Sequence, residues 1–264
     1  MTAHHNPSAE HSHTVIFLHG RDSTASEFAV ELFESQASDD KTLPEIFPSF
    51  KWVFPTSALR NSARFNIEMS QWFDMWSLED PEERKEIHKA GLSESISSIL
   101  TAIEDEASLI GMEKIILAGI SQGCATAIHA LLQGERKLGT FVGLCSWLPF
   151  QAEIQSITKT ARTPAETRDR LRCLFQLQHH RENKLNSALE TPVLLAHSED
   201  DEVVSIRHGE NLSRGLTELG MSVEWHTYKY GGHWVNEPQG INDMVGFQLL
   251  NAPGSCTSLR SLPR

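Results

Sequence analysis

The segment KIILAGISQGCATAIHALLQ, residues 114–133, constrains the fold more than any other. It opens as a short continuous apolar run, the pattern of a strand buried on both faces of a parallel sheet. From Ser121 to Gln133 it is rich in alanine and leucine, which predicts a helix. Between the two lies Gly119-Ile120-Ser121-Gln122-Gly123, a Gly-x-Ser-x-Gly turn. A strand that passes into a helix through such a turn leaves the serine on a tight, strained corner with its hydroxyl exposed. The two glycines remove side chains that would collide there.

Similar apolar runs recur along the 264 residues: TVIFLHG (14–20), KWVFP (51–55), TFVGLCS (140–146), TPVLLAH (191–197) and SVEWHTYK (222–229). Each carries β-branched or aromatic residues and ends near a turn former, so each reads as a strand. Leu92, Ile96, Ile99, Leu100, Ile103, Ala107 and Ile110 recur at spacings of three and four and predict one long helix, and Leu212, Leu216 and Leu219 mark another. Strands alternating with helices imply right-handed crossovers and an open, mostly parallel central sheet with helices on both faces, so the fold class is α/β. Residues 150–190 break the alternation and read as an insertion. Within it Leu171, Leu174, Phe175 and Leu177, with Gln178 and His179, suggest at least one helix that caps a site or packs on the sheet. The expected organisation is a flexible segment over 1–12, one domain over 13–251 and a flexible tail over 252–264.

A net charge of −12 argues against partners recognised through phosphate, whether nucleic acid or anionic lipid surfaces. Cys124, Cys145, Cys173 and Cys256 are scattered without the spacing of a zinc site or a disulfide framework and read as reduced thiols. No apolar run approaches the roughly 20 residues of a membrane span, and the first residues have no signal-like apolar core. These features set the expectation of a cytoplasmic or nuclear protein without integral membrane association. His4, His5, His11 and His13 are potential metal ligands in a short polar terminus, and the expectation there is a loop without metal.

A serine hydroxyl is a weak nucleophile until a base takes its proton, so Ser121 needs a histidine and an acid that orients it. In the α/β-hydrolase fold, which the strand–turn–helix around Ser121 predicts, the chain order is serine, acid, histidine. AHSEDDEVVS (196–205) starts where a strand ends and supplies the acid; YGGHWVNEP (230–238) follows the last strand and supplies His233 on a Gly-rich loop. His197, His208 and His226 are its competitors, and context favours His233. Glu199, Asp200, Asp201 and Glu202 adjoin one another, and spacing does not choose among them. In FLHGRDSTASEF (17–28) a strand breaks into a glycine turn, where the backbone N–H of Arg21 suits an oxyanion donor that joins that of Gln122. His19 is expected to make a structural hydrogen bond beneath this loop.

Taken together, VIFLHGRDST (15–24), Phe54-Pro55, QWFDMWSLED (71–80), GISQG (119–123), SWLP (146–149), LLAHSEDDEVV (194–204) and YGGHWVNEP resemble the phospholipase/carboxylesterase family that includes acyl-protein thioesterases. The resemblance implies a catalytic triad of Ser121, Asp201 and His233, oxyanion donors at Arg21 and Gln122, and no cofactor. It implies hydrolysis of a small-molecule ester or thioester, or of an S-acylated protein, through an acyl-enzyme. It also offers Trp72, Phe73, Trp147 and Leu148 as an acyl-binding surface, with ordinary core packing as the alternative. The chain departs from the family pattern at Arg21, usually apolar, at Cys124, usually glycine, and in the long insertion, which is expected to govern acyl selectivity. The short N-terminal extension leads to the expectation that an early edge strand is missing. Outside this reading stand a catalytically silent ligand-binding protein and a peptidase or dienelactone-type hydrolase.

Overall fold

The computed structural model describes residues 2–175 and 188–252. The runs read as strands each form one: β2 (His13–Leu18), β3 (Phe50–Phe54), β6 (Ile115–Ile120), β7 (Thr140–Leu144), β8 (Val193–Ser198) and β9 (Val223–Tyr228). All pair in parallel. With β1 (Ala3–His5) they make a seven-stranded sheet of order β1-β3-β2-β6-β7-β8-β9. A small separate hairpin pairs β4 (Leu59–Asn61) with β5 (Glu68–Ser70).

Strand β1 corrects the expectation of a missing edge strand. It lies antiparallel on β3 with Ala3 opposite Phe54 and His5 opposite Trp52. Ser8 and Ala9 then donate their N–H groups to Pro48 O, and the His5 ring meets Phe33 edge-on. The physical reason is that the free edge of β3 offers a row of backbone donors and acceptors that any short extended segment can satisfy. Of the N-terminal histidines, His11 bonds Thr14 Oγ1 and His13 packs on Phe50, so they serve separate contacts.

Successive strand residues point to opposite faces, and both faces are covered. On one side Val15, Phe17, Ile116, Ala118 and Leu194 face α1 (Ala25–Glu34), α2 (Leu43–Ile46) and α8 (Gln239–Asn251). On the other, Ile16, Leu18, Leu117, Phe141 and Leu195 face α3 (His88–Ile110), α4 (Gln122–Gln133) and α7 (Ile206–Glu218). The chain leaves β2 toward β3 on one side, then returns to β6 on the other. The order therefore reverses between β2 and β6, where open α/β sheets form crevices at their carboxyl edge.

The insertion contains α5 (Gln151–Thr160) and α6 (Pro164–Leu174), in line with the expectation of at least one helix. Leu171 and Phe175 are core residues rather than groove residues. Phe175 packs on His129 of α4 and on Phe150, and its carbonyl accepts from Ser93 Oγ of α3. Arg172 reaches Glu135 at 2.8 Å. Leu177, Gln178, His179 and the tail from 253 onward lie outside the described residues. Helix α4 is enclosed by the sheet, α3 and α6, and every one of its residues is buried. Among the described residues, then, the insertion supports the helix that follows Ser121. Phe175→Ala is expected to destabilise the protein by about 3–5 kcal/mol, the usual range for a large buried aromatic. Urea unfolding measures this, and a change within experimental error would contradict the core assignment.

Candidate active site

Ser121 has φ +55° and ψ −126°, a conformation that L residues rarely hold. Three bonds stabilise it. Ser121 N–H donates to Leu144 O at 2.9 Å, and its carbonyl accepts from Ser146 Oγ at 2.7 Å and from Ala125 N–H. The flanking glycines are obligatory for close approach: a Cβ on Gly119 would sit 2.5 Å from Cys124 N, and one on Gly123 would sit 2.3 Å from His19 O. The turn is thus pressed between β2 and β6 with the serine side chain held clear of the elbow's own hydrogen bonds.

Asp201 follows β8 and is the acid that the structure joins to His233. His233 Nδ1–H donates to Asp201 Oδ2 at 2.7 Å. That bond fixes the tautomer and leaves Nε2 as the acceptor, the form a base requires. The second oxygen, Oδ1, accepts the N–H groups of Val203 and Val204, each at 2.9 Å. The Asp201 side chain is fully buried. Burial by itself would raise its carboxyl, but hydrogen bonds from His197, His233 and the Val204 N–H outweigh that and hold it well below the usual carboxylate range.

Asp200 does different work. Its carboxylate accepts Gly232 N–H at 2.9 Å and Gly231 N–H at 3.4 Å, so it clamps the turn that presents His233. Gly231 and Gly232 take φ +148° and +59°, and a Cβ on Gly231 would lie 2.4 Å from Ser198 Oγ. Two of the competing histidines are engaged elsewhere, His226 with Glu224 and Asp243 and His208 with Glu79 O, while the third, His197, lies 3.0 Å from Asp201 Oδ2.

The loop after β2 meets the elbow, since a Cβ on Gly20 would lie 3.6 Å from Ser121 Cβ. His19 lies beneath it. Ser57 N–H donates to His19 Nε2 at 3.2 Å, so Nδ1 carries the proton and donates it to Gly20 O at 2.7 Å. Holding that carbonyl fixes the plane of the Gly20–Arg21 peptide, and with it the opposite direction of the Arg21 N–H. The unusual Arg21 side chain anchors the same residue from the other end, through Gln71 Oε1 at 2.9 Å, Ser62 Oγ at 3.2 Å and Asp74 at 3.8 Å. Gln122 begins α4, so its N–H has no intrahelical acceptor and stands at the positive end of the helix dipole. Its side chain locks the neighbouring loop, with Oε1 accepting Trp72 N–H and Nε2 donating to Phe73 O.

Trp72, Phe73, Trp147 and Leu148 lie in the core, none more than 3% exposed, which agrees with the packing alternative that the sequence left open. Trp72 Nε1 donates to His19 O, Phe73 and Trp147 meet edge-on, and Leu148 packs over Gly215 of α7. They support the loop after β2 and the elbow from below. Exposed apolar surface beside that loop lies instead on the β4–β5 hairpin and its turn, at Leu59, Phe65 and Ile67. Asp22 N–H ties the hairpin to the loop through Ser70 O at 2.7 Å.

Cys145 is a site residue that sequence patterns did not single out. It follows β7 with φ +49°, its thiol donates to Trp234 O, and burial first of all, together with Asp201, pushes that thiol up. Potential ligand atoms of Cys145, Asp201 and His233 lie within 4.8 Å of one another, the one such grouping among the described residues. Within it, His233 Nδ1–H donates to Asp201 Oδ2. Cys124 is also buried and its thiol is pushed up to about 12 by burial, so it packs as an inert small apolar residue.

A doubly covered parallel sheet with a strained serine elbow at its switch point and a His–Asp pair at the same edge defines an α/β-hydrolase. The model of the phospholipase/carboxylesterase family matches residues 2–167, and that of the prolyl oligopeptidase family matches residues 88–248. Acyl-protein thioesterase 1 of Yarrowia lipolytica is 27% identical over 248 residues, covering 92% of this chain and 89% of that protein. Acyl-protein thioesterase 1 of Cryptococcus neoformans is 26% identical over 259 residues, covering 92% and 94%. Among solved structures, acyl-protein thioesterase 2 of Zea mays superposes with a TM-score of 0.70 at 23% identity, over 96% of this chain and 99% of that one. The chain belongs to the phospholipase/carboxylesterase family and is a hydrolase.

Proposed function

We propose that this hydrolase cleaves carboxylic esters or thioesters, with Ser121 as nucleophile, His233 as base and Asp201 as the acid that orients it. The observation that carries the reading is the 2.7 Å bond from His233 Nδ1–H to a buried carboxylate at the sheet edge that also holds the strained Ser121. Ser121 Oγ attacks the acyl carbonyl as His233 Nε2 takes its proton, and the Arg21 and Gln122 N–H groups stabilise the oxyanion. The same proton then passes to the leaving alcohol or thiol, and water releases the acid by the reverse exchange. Likeness to acyl-protein thioesterases favours thioesters and S-acylated proteins among the substrates, with the acyl chain lying against Leu59, Phe65 and Ile67. The free Cys124, Cys145 and Cys173 fit action in the cytoplasm. No helix among the described residues is long and apolar enough to cross a membrane.

The test is a panel of chromogenic esters and thioesters from acetyl to octanoyl, with a peptide anilide added. Ester and thioester turnover that rises with chain length supports the reading. The prolyl oligopeptidase match favours a peptidase as the second reading, and anilide turnover exceeding ester turnover would establish that one.

The rate is also expected to fall on acidification, because an imidazolium at His233 cannot accept the serine proton. Asp201 is not the group responsible. Its depressed carboxyl stays ionised above about pH 4, and its contribution to stability is present there and lost only as the pH falls through its lowered native value. A flat kcat/KM profile would remove His233 as base.

A further inference from the structure

His197 is buried at the carboxyl end of β8, and the mechanism above gives it no part. Its Nε2 lies 2.8 Å from Val204 O and 3.0 Å from Asp201 Oδ2. A carbonyl and a carboxylate only accept, so Nε2 carries the proton and shares it between them. Nδ1 then keeps a lone pair, and it is buried without a partner. The opposite tautomer would leave a buried N–H unpaired and set the Nε2 lone pair against two acceptors. The other elements hold the ring without charge: Gly209 of α7, where a Cβ would lie 2.5 Å from Nδ1, and Trp225 of β9 at 6.4 Å between ring centres. The charged group facing it is Asp201, which His233 shares and the Cys145 thiol approaches.

We propose that His197 is a positioning residue for the reaction, donating Nε2–H to the same Asp201 oxygen that receives His233 Nδ1–H. The inference rests on Asp201 and His233 being the acid and the base. With Oδ1 pinned by Val203 and Val204, a donor at Oδ2 stops the carboxylate from rotating away from His233. It also draws charge from Oδ2 and so moderates the pull on the His233 proton. Removing the donor therefore strengthens the attraction of Asp201 for a protonated His233, and the acid limb of the rate profile moves to higher pH.

The experiment compares His197→Phe, which fills the space without a donor, with His197→Gln, whose amide can restore one. His197→Phe is expected to lose at least about tenfold in kcat with KM nearly unchanged, and its acid limb is expected to move up by about half a pH unit, while His197→Gln keeps most of kcat and the parent limb. Equal losses in both variants with an unmoved limb would reduce His197 to packing and overturn the proposal. Nitrogen-15 NMR of the parent protein's imidazoles is a reading that needs no variant to fold: an Nε2–H tautomer at His197 supports the proposal, and an Nδ1–H tautomer overturns it. Undiminished activity in His233→Ala would overturn the underlying mechanism and this inference with it. Normal dependence on His233 combined with the wrong tautomer at His197 would overturn this inference alone.

Discussion

Ser121→Ala is expected to lose about 10⁶-fold in kcat, the scale set by removing a serine nucleophile from a triad that works as a unit. The variant should fold, because the elbow is held through the Ser121 N–H and C=O, in bonds to Leu144, Ser146 and Ala125, and none of these involves Oγ. Alanine inherits the same positive φ and makes it neither easier nor harder to hold. A fluorophosphonate probe should label the parent protein rapidly and the variant not at all, since only an activated hydroxyl attacks that phosphorus at neutral pH. Cys124 and Cys145, both buried with thiols pushed up, do not compete for the probe. Labelling that persists at the parent rate in Ser121→Ala would place the nucleophile elsewhere.

The elbow was legible in the sequence because its demands are local: a buried strand, two glycines and a helix within twenty residues declare one geometry. The parallel strands were legible for a related reason, since burial on both faces requires continuous apolar runs. Strand β1 was not, because three residues carry no periodicity and the edge of β3, distant in sequence, is what orders them. The insertion shows a different limit. Spacing at Leu171 and Phe175 marks them as buried without saying against what, and only the packing on α4 shows that they support the catalytic helix rather than line a groove. Trp72 and Trp147 illustrate the same ambiguity for aromatics near a motif, which serve equally well as floor or as wall.

The acid run from Glu199 to Glu202 is where sequence alone stops and geometry decides. Asp201 and Asp200 both act on His233, one on the ring and one on the turn beneath it. Carrying those different roles into kinetics predicts unequal losses.

Asp201→Asn is expected to lower kcat by about 10⁴-fold, the cost of a wrong histidine tautomer in a well-built triad. Here the cause can be traced atom by atom. Oδ2 faces two donors, His233 Nδ1–H and His197 Nε2–H, while Oδ1 faces the N–H groups of Val203 and Val204. An amide has one oxygen and one NH₂; the fixed Val203 and Val204 N–H groups hold the oxygen at the Oδ1 position, so the NH₂ faces His233 Nδ1–H, and relief comes from turning the His233 ring or moving its proton to Nε2. Both outcomes remove the base. Asp200→Ala instead frees the Gly231–Gly232 turn, and a displaced but chemically intact His233 should cost no more than about 10²-fold, with the acid limb unmoved. Asp200→Asn should cost less still, since an amide oxygen can accept from Gly232 as the carboxylate does. Measuring kcat/KM for the three variants across pH 5–9 separates these roles. Losses of equal size at Asp200 and Asp201, or the larger loss at Asp200, would mean that the turn rather than the buried carboxylate organises the base.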